Sequence, residues 1–131
     1  MAEIYGEQYG LPVIASDDGN QYCMVRSYTF AGTEAVGDVI HVCPLPQGAL
    51  VTDVALVGSG TTTAAFKVQV VQGDGTRVDV KAAGTLSATR TRTTAAPVQN
   101  GSGIAFEITV AAASGDAGKV ATIIVNYVLV N

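Results

Sequence analysis

His41 is the only histidine in the chain, and Cys43 follows it by two residues. On a strand that spacing puts both side chains on one face. A zinc site takes about four ligands, however, and no other residue stands at a ligand-like offset. A Ser-His-Asp or Cys-His site would need the same histidine beside an activated nucleophile, and no nucleophile-elbow sequence occurs. His41 therefore reads as an ordinary strand histidine. Asp17, Asp18 and Asn20 lack the alternating oxygen ligands and closing Glu of a calcium loop and read as a turn. Gly73-Asp74-Gly75-Thr76 has no following Lys-Ser/Thr and no helix to form a phosphate cradle. Asp74 and Asp79 fall on the two arms of a hairpin, where surface charges are ordinary. Paired carboxylates of a glycoside hydrolase usually sit in a cleft lined with aromatics, and the chain has only 3 Phe, 5 Tyr and no Trp. Arg90 and Arg92 are the nearest approach to a basic patch. In a chain of net charge −4 they do not make a nucleic-acid footprint, and they read as edge charges or as salt bridges to a neighbouring subunit. No catalytic, metal-binding or cofactor-binding residue is expected.

The elements that would carry these residues are strands. With 131 residues, including 19 Val, 14 Thr and 7 Ile, the composition favours β structure over long helices. Fifteen glycines and four prolines punctuate it at the short intervals of a sandwich or barrel. Charged residues make up 14% and apolar residues 48%, against about 25% charged in ordinary soluble chains. So little charge reads either as a small, Ala- and Thr-coated surface or, the favoured reading, as one much of which is covered by other subunits. The N-terminus has no basic region leading into an apolar run, and no stretch approaches the roughly 18 apolar residues of a membrane helix. A soluble, cytosolically made chain is expected, with Cys23 and Cys43 more readily read as reduced than as a disulfide.

Residues 1–22 form an irregular N-terminal arm, and residues 23–131 a single β domain. In the arm, Ile4, Tyr5, Tyr9 and Leu11 are interleaved with Gly and Pro at no steady period, as in a segment that packs on something else. Tyr22 to Phe30 is the first strand, with its inner face undecided by its mixed character. Gly37 to Val57 reads as two strands joined by a stiff turn. Pro44 and Pro46 lack backbone donors, and Gly48 lets the chain reverse, so Leu45 and Gln47 are expected at the tip. Ala64 to Gln72 and Arg77 to Ala82 flank Asp74-Gly75 as a hairpin. Thr89 to Thr94 reads as an edge strand with Arg90 and Arg92 on one side. Ile104 to Val110 alternates most cleanly. In Lys119 to Val130 one face (Ala121, Ile123, Val125, Tyr127, Leu129) is wholly apolar and the other mostly so, which implies burial on both sides and hence a partner.

Taken together, Gly37 to Ile40, Leu45 to Ala49, Val51 to Val57, Val68 to Gly75 and Val125 to Val128 resemble small structural proteins of tailed bacteriophages, specifically capsid decoration or cement proteins. The resemblance spans roughly Gly37 to Asn131 and rests on short motifs. It implies an antiparallel β-sandwich, jelly-roll-like, that sits as a homotrimer on the outer surface of the virion capsid. It also implies manufacture in the host cytoplasm and partners that are the major capsid protein and other copies of the chain, not nucleic acid or membrane. No cofactor carries over. Ile4, Tyr5, Tyr9, Leu11, Leu45, Gln47, Arg90 and Arg92 are the expected protein-interface residues. Other readings are a head-fibre base, tail or receptor-binding component of the virion, and, from another class, a carbohydrate-binding sandwich. The latter is weakened by the absence of Trp.

Overall fold

The computed structural model describes residues 2–7, 9, 21–92 and 97–129. Their strands are β1 (Glu3–Tyr5), β2 (Gln21–Thr29), β3 (Val39–Gly58), β4 (Ala65–Gln72), β5 (Arg77–Thr85), β6 (Thr91–Arg92), β7 (Val98–Val110) and β8 (Val120–Leu129). A 3-10 turn, Ser114–Asp116, leads into β8. The strands are hydrogen-bonded in the order β2-β8-β3-β7-β4-β5, with β1 and β6 on β3. The result is an antiparallel, jelly-roll-like β-sandwich in which β1 alone, among the described residues, pairs in parallel.

The sandwich is organised by β3. The strand pairs with β7 from Val39 to Pro44 and again at Ala49 and Val51, and with β1 at Val39–His41. Its second part pairs with β8 from Ala49 to Gly58 and with β6 at Ala55 and Leu56. One 20-residue strand therefore belongs to both halves. This corrects the expectation of two strands and a turn. The prolines do interrupt the ladder, since β3 advances from Pro44 to Ala49 while β7 advances only from Gly103 to Gly101. The unpaired residues form a bulge that bends the chain instead of reversing it, with Gly48 taking the left-handed φ of 84° that a side chain would resist.

The two halves close on one core. Phe30, just past β2, lies 5.8 Å from the ring of Phe66 on β4, and Phe66 lies 4.7 Å from Phe106 on β7. Each of the three is fully buried or nearly so, worth about 1.5–3 kcal/mol apiece in apolar transfer. On β2 the inward face is Met24 and Tyr28, which settles the face the mixed sequence left open. On β8 the apolar set from Ala121 to Leu129 is buried, whereas Val120, Thr122, Ile124, Asn126 and Val128 are half-buried. The Asp74-Gly75 hairpin is present, closed by the Gly75 amide donating to Gln72 O (2.9 Å) and by Thr76 N donating to Asp74 Oδ1 (2.9 Å). Beyond β5 the chain crosses back over β3, plugged by Leu86, which is fully buried. A Cβ on Gly58 would come within 2.3 Å of Leu86 Cγ, so only glycine fits there.

Candidate docking surfaces

The start of the N-terminal arm is clamped to the chain's own sheet. Val39 N donates to Ala2 O (2.9 Å), and Gly6 N to His41 O (2.8 Å). Glu3 Oε1 meets His41 Nε2 at 2.8 Å, the Tyr5 ring stacks on the imidazole at 4.8 Å, and Tyr9 meets Tyr5 edge-on at 5.0 Å. Ile4 packs against the core. Within the arm, Glu3–Tyr5 thus forms a short strand held on β3. Of the four expected arm contacts, the structure brings Tyr5 and Tyr9 together while Ile4 turns to the core, and only Tyr5, 59% exposed, projects. Leu11 lies outside the described residues, as do Asp17, Asp18 and Asn20. Gln21 and Tyr22 already belong to β2.

The remaining expected contacts separate. Leu45 is 7% exposed and joins the core, so it is not a tip residue; the bulge turns it inward while leaving Gln47 exposed. Arg90 is exposed. Arg92 Nη2 reaches Asp53 Oδ2 at 2.5 Å across the β3–β6 pair, an ion pair within the chain that answers the charge expected to meet a neighbour. Of the expected edge strand only Thr91 and Arg92 are paired, and Thr93 and Thr94 lie outside the described residues.

The geometry offers little chemistry. Between His41 and Cys43, β3 spends two residues against one step of β7 (His41↔Ala105, Cys43↔Ile104). That bulge turns Cys43 into the core and leaves His41 on the outer face, so period-2 spacing misplaced the pair. Burial pushes the Cys43 thiol up to about 12, which leaves it protonated and inert. Cys23 and Cys43 are both free. Among the described residues no group of three or more His, Cys, Asp or Glu is placed to hold a metal ion, and no helix is long and apolar enough to cross a membrane. A cavity of about 330 Å³ lined by Gly48, Leu50, Gln99 and Asn100 presents no acid, base or nucleophile among those residues. On the outer face of β5-β4-β7, Gln69 Nε2 donates to Asp79 Oδ1 (2.8 Å) and Glu107 Oε1 (2.9 Å), with Lys67 3.4 Å from Asp79. Hydrogen bonding from Gln69, with Lys67 beyond it, holds Asp79 below the ordinary carboxylate range. With Arg77 3.9 Å from Glu107, the two carboxylates and two cations balance.

Two carboxylates that the sequence did not single out organise one end of the sandwich. Glu34, 3% exposed, accepts from the Tyr28 hydroxyl, from Ala31 N (2.9 Å) and from Gly32 N (3.0 Å). Asp116, also 3% exposed, accepts from Thr63 N (2.8 Å), Ala64 N (3.0 Å) and Ala113 N (3.2 Å). Burial pushes both carboxyls up, but the donors around them outweigh it. Glu34, held by Tyr28 and the two amides, and Asp116, held by its three amides, both end below their ordinary values. The local signal was a Glu or Asp two or three residues after small loop residues, a spacing at which side chains cap backbone amides. The distant partners Tyr28, Thr63 and Ala64 had no such signal.

No protein-family model matches the sequence, and no curated protein sequence is significantly similar to it. A chain in the structure of the capsid of Ralstonia phage GP4 superposes with a TM-score of 0.74 at 21% identity, covering 99% of this chain and 99% of that one. The fold is shared with phage capsid structures. A chain of the cyanophage Pam1 capsid asymmetric unit superposes with a TM-score of 0.62 at 23% identity, covering 93% and 94%. The agreement takes in the whole sandwich in both cases, so what this chain shares with them is the complete architecture and not one motif.

Proposed function

We propose that the chain is a non-enzymatic structural protein of a tailed-bacteriophage virion: a capsid decoration, or cement, protein that binds the assembled major capsid protein shell and stabilises it. The observation that carries this reading is the end-to-end match to a chain of a phage capsid. Fold by itself does not fix function, but the low charge content of the chain, 14%, argues in the same direction. The mechanism is avidity. Each contact is modest, and a homotrimer engaging the shell at three points multiplies them while bridging seams between capsomers on the outer capsid surface. Tyr5, Leu11, Gln47 and Arg90 are proposed contacts within that reading.

The test mixes the purified chain with shells of the major capsid protein that lack it and follows cosedimentation and the temperature at which the shells break. Saturable binding and a raised breaking temperature are expected, with a solution mass of three times 13.3 kDa. A chain that ignores the shells, and that electron microscopy of whole particles finds on a tail or at the base of a head fibre, refutes the decoration reading in favour of those virion roles.

A further inference from the structure

We infer that Arg90 of one copy docks on Tyr5 of the next, between Glu3 and Glu7, and that this head-to-tail contact joins the copies; it rests on the homotrimer of the decoration reading above. Of the chain's 3 Phe and 5 Tyr, Tyr5 alone is exposed. It is held in place. Its backbone pairs with His41, and its ring stacks on the imidazole at 4.8 Å with the planes 17° apart. Tyr9 stands 5.0 Å from Tyr5 and 6.4 Å from His41, which puts it at the rim of the Tyr5 ring. The face turned away from His41 is therefore clear of both. Glu3 and Glu7 stand two residues to either side of Tyr5, and both are exposed. Glu3 meets His41 Nε2 (2.8 Å) and Glu7 accepts from the Thr29 hydroxyl (2.8 Å), so neither carboxylate is paired with a Lys or Arg.

The chain holds one cation to match. Lys67, Arg77 and Arg92 face Asp79, Glu107 and Asp53, while Arg26, Lys81 and Lys119 donate to the carbonyls of Val25 (2.9 Å), Ala82 (3.4 Å) and Thr61 (2.6 Å). Among the described residues Arg90 alone of the 7 Lys and Arg makes neither hydrogen bond nor ion pair, and it is exposed. A guanidinium is planar, so it can lie on an aromatic face and donate to carboxylates beside that ring at once. An apolar occupant would strip water from Glu3 and Glu7 and return nothing. The fold keeps the two halves of this contact apart. At Ala49 and Val51, β3 pairs with β7 and β8 together, so these hold its two edges. β1 pairs at Val39–His41 opposite β7, and β6 pairs at Ala55 and Leu56 opposite β8. Tyr5 and Arg90 thus sit on opposite edges of β3 and are separated by roughly 40 Å of strand, out of reach within one copy. Each copy offers one ring and one arginine, and such a heterologous contact closes into a ring when its rotation allows. Tyrosine and arginine are also the residues on which interface energy concentrates.

Sedimentation equilibrium of the full-length chain over a range of concentrations tests the contact. The parent is expected at three times 13.3 kDa. Arg90→Glu and Tyr5→Ala should each raise the concentration at which half the chain is trimeric by at least about 30-fold, the loss ordinarily seen at a central contact. Arg90 bonds to nothing in its own chain, so its replacement spares the fold, and thermal melts check Tyr5→Ala. Should Tyr5→Ala fail to melt cooperatively, Arg90→Ala takes its place. Exchanging the charges, Arg90→Glu with Glu7→Arg, is expected to recover part of the trimer, which a merely destabilised chain would not do. Arg90→Glu with the parent's mass throughout, or no recovery on exchange, overturns the inference, as does a parent that stays at 13.3 kDa. Shell binding is read separately by cosedimentation: a parent that binds undecorated shells keeps the decoration reading even where the masses overturn this contact.

Discussion

Replacing Asp116 by Ala removes a carboxylate that ties the loop before β4 to the loop before β8, alongside the Lys119 Nζ–Thr61 O bond. Its carboxylate accepts three amides, of which Ala64 N is fully buried while Thr63 N and Ala113 N are partly so. A hydrogen bond to a charged group contributes about 1.5–3 kcal/mol net, and a buried donor left unpaired costs about 1–3 kcal/mol. Water can reach the two partly buried amides and recovers some of the loss, so Asp116→Ala is expected to cost about 3–5 kcal/mol. That is a large share of the roughly 5–15 kcal/mol that holds such a domain. Asp116→Asn keeps the shape but presents an NH₂ to at least one amide, and about 2 kcal/mol is expected. Denaturant unfolding gives the equilibrium loss, and a thermal midpoint about 10–20 °C lower is the matching calorimetric result for the alanine variant. Native-state hydrogen exchange supplies the local readout, with the amides of Thr63, Ala64 and Ala113 losing protection before those of β7. A loss under about 1 kcal/mol, or unchanged exchange at these three amides, would refute the assignment of Asp116 as the anchor.

The same geometry sets the pH response. Glu34 and Asp116 have folded values below their unfolded ones, so their contribution is complete above about pH 4 and is lost as pH falls through the folded values. Burial, with the Glu34 hydrogen bond behind it, holds the Tyr28 hydroxyl well above the ordinary range, and its contribution persists below about pH 10 and fades at higher pH. Thermal midpoints should be flat between these limits, and Glu34→Gln should flatten the acid limb. Leu45→Asp puts a charge into the core and is expected to abolish cooperative unfolding, whereas Gln47→Asp, two residues on and exposed, should shift the denaturant midpoint by less than about 0.5 kcal/mol.

Leu45 also shows where sequence stops being legible. Period-2 alternation reports which face of a strand is apolar, and it read β8, the β4–β5 hairpin and β7 as far as Ile108 correctly because their inner faces obey it from Ile104 to Ile108 and from Ala121 to Leu129, whereas Val110 is 48% exposed. A bulge breaks that periodicity without any compositional mark. Two bulges in β3 therefore hid the inward turn of Leu45 and the separation of His41 from Cys43. Proline reported correctly that the ladder fails at residues 45–48, but failure of a ladder does not distinguish a bend from a reversal. The arm's clamp depended on a parallel register, Tyr5↔His41, between segments 36 residues apart. The rigid loop end depended likewise on Asp116 meeting residues more than 50 positions earlier. No local pattern encodes such pairings.

The passage of β3 through both halves of the sandwich has a mechanical consequence. In a sandwich whose sheets are joined only by loops, shear between the layers is resisted by side-chain packing alone. Here a load entering through the β8 side reaches the β7 side along a continuous covalent backbone, laced by hydrogen bonds at both ends. The layers cannot slide apart unless those ladders are unzipped. Pulled from its two faces, the molecule should therefore yield in one abrupt step at high force, like a tie-bar and unlike a pair of stacked plates.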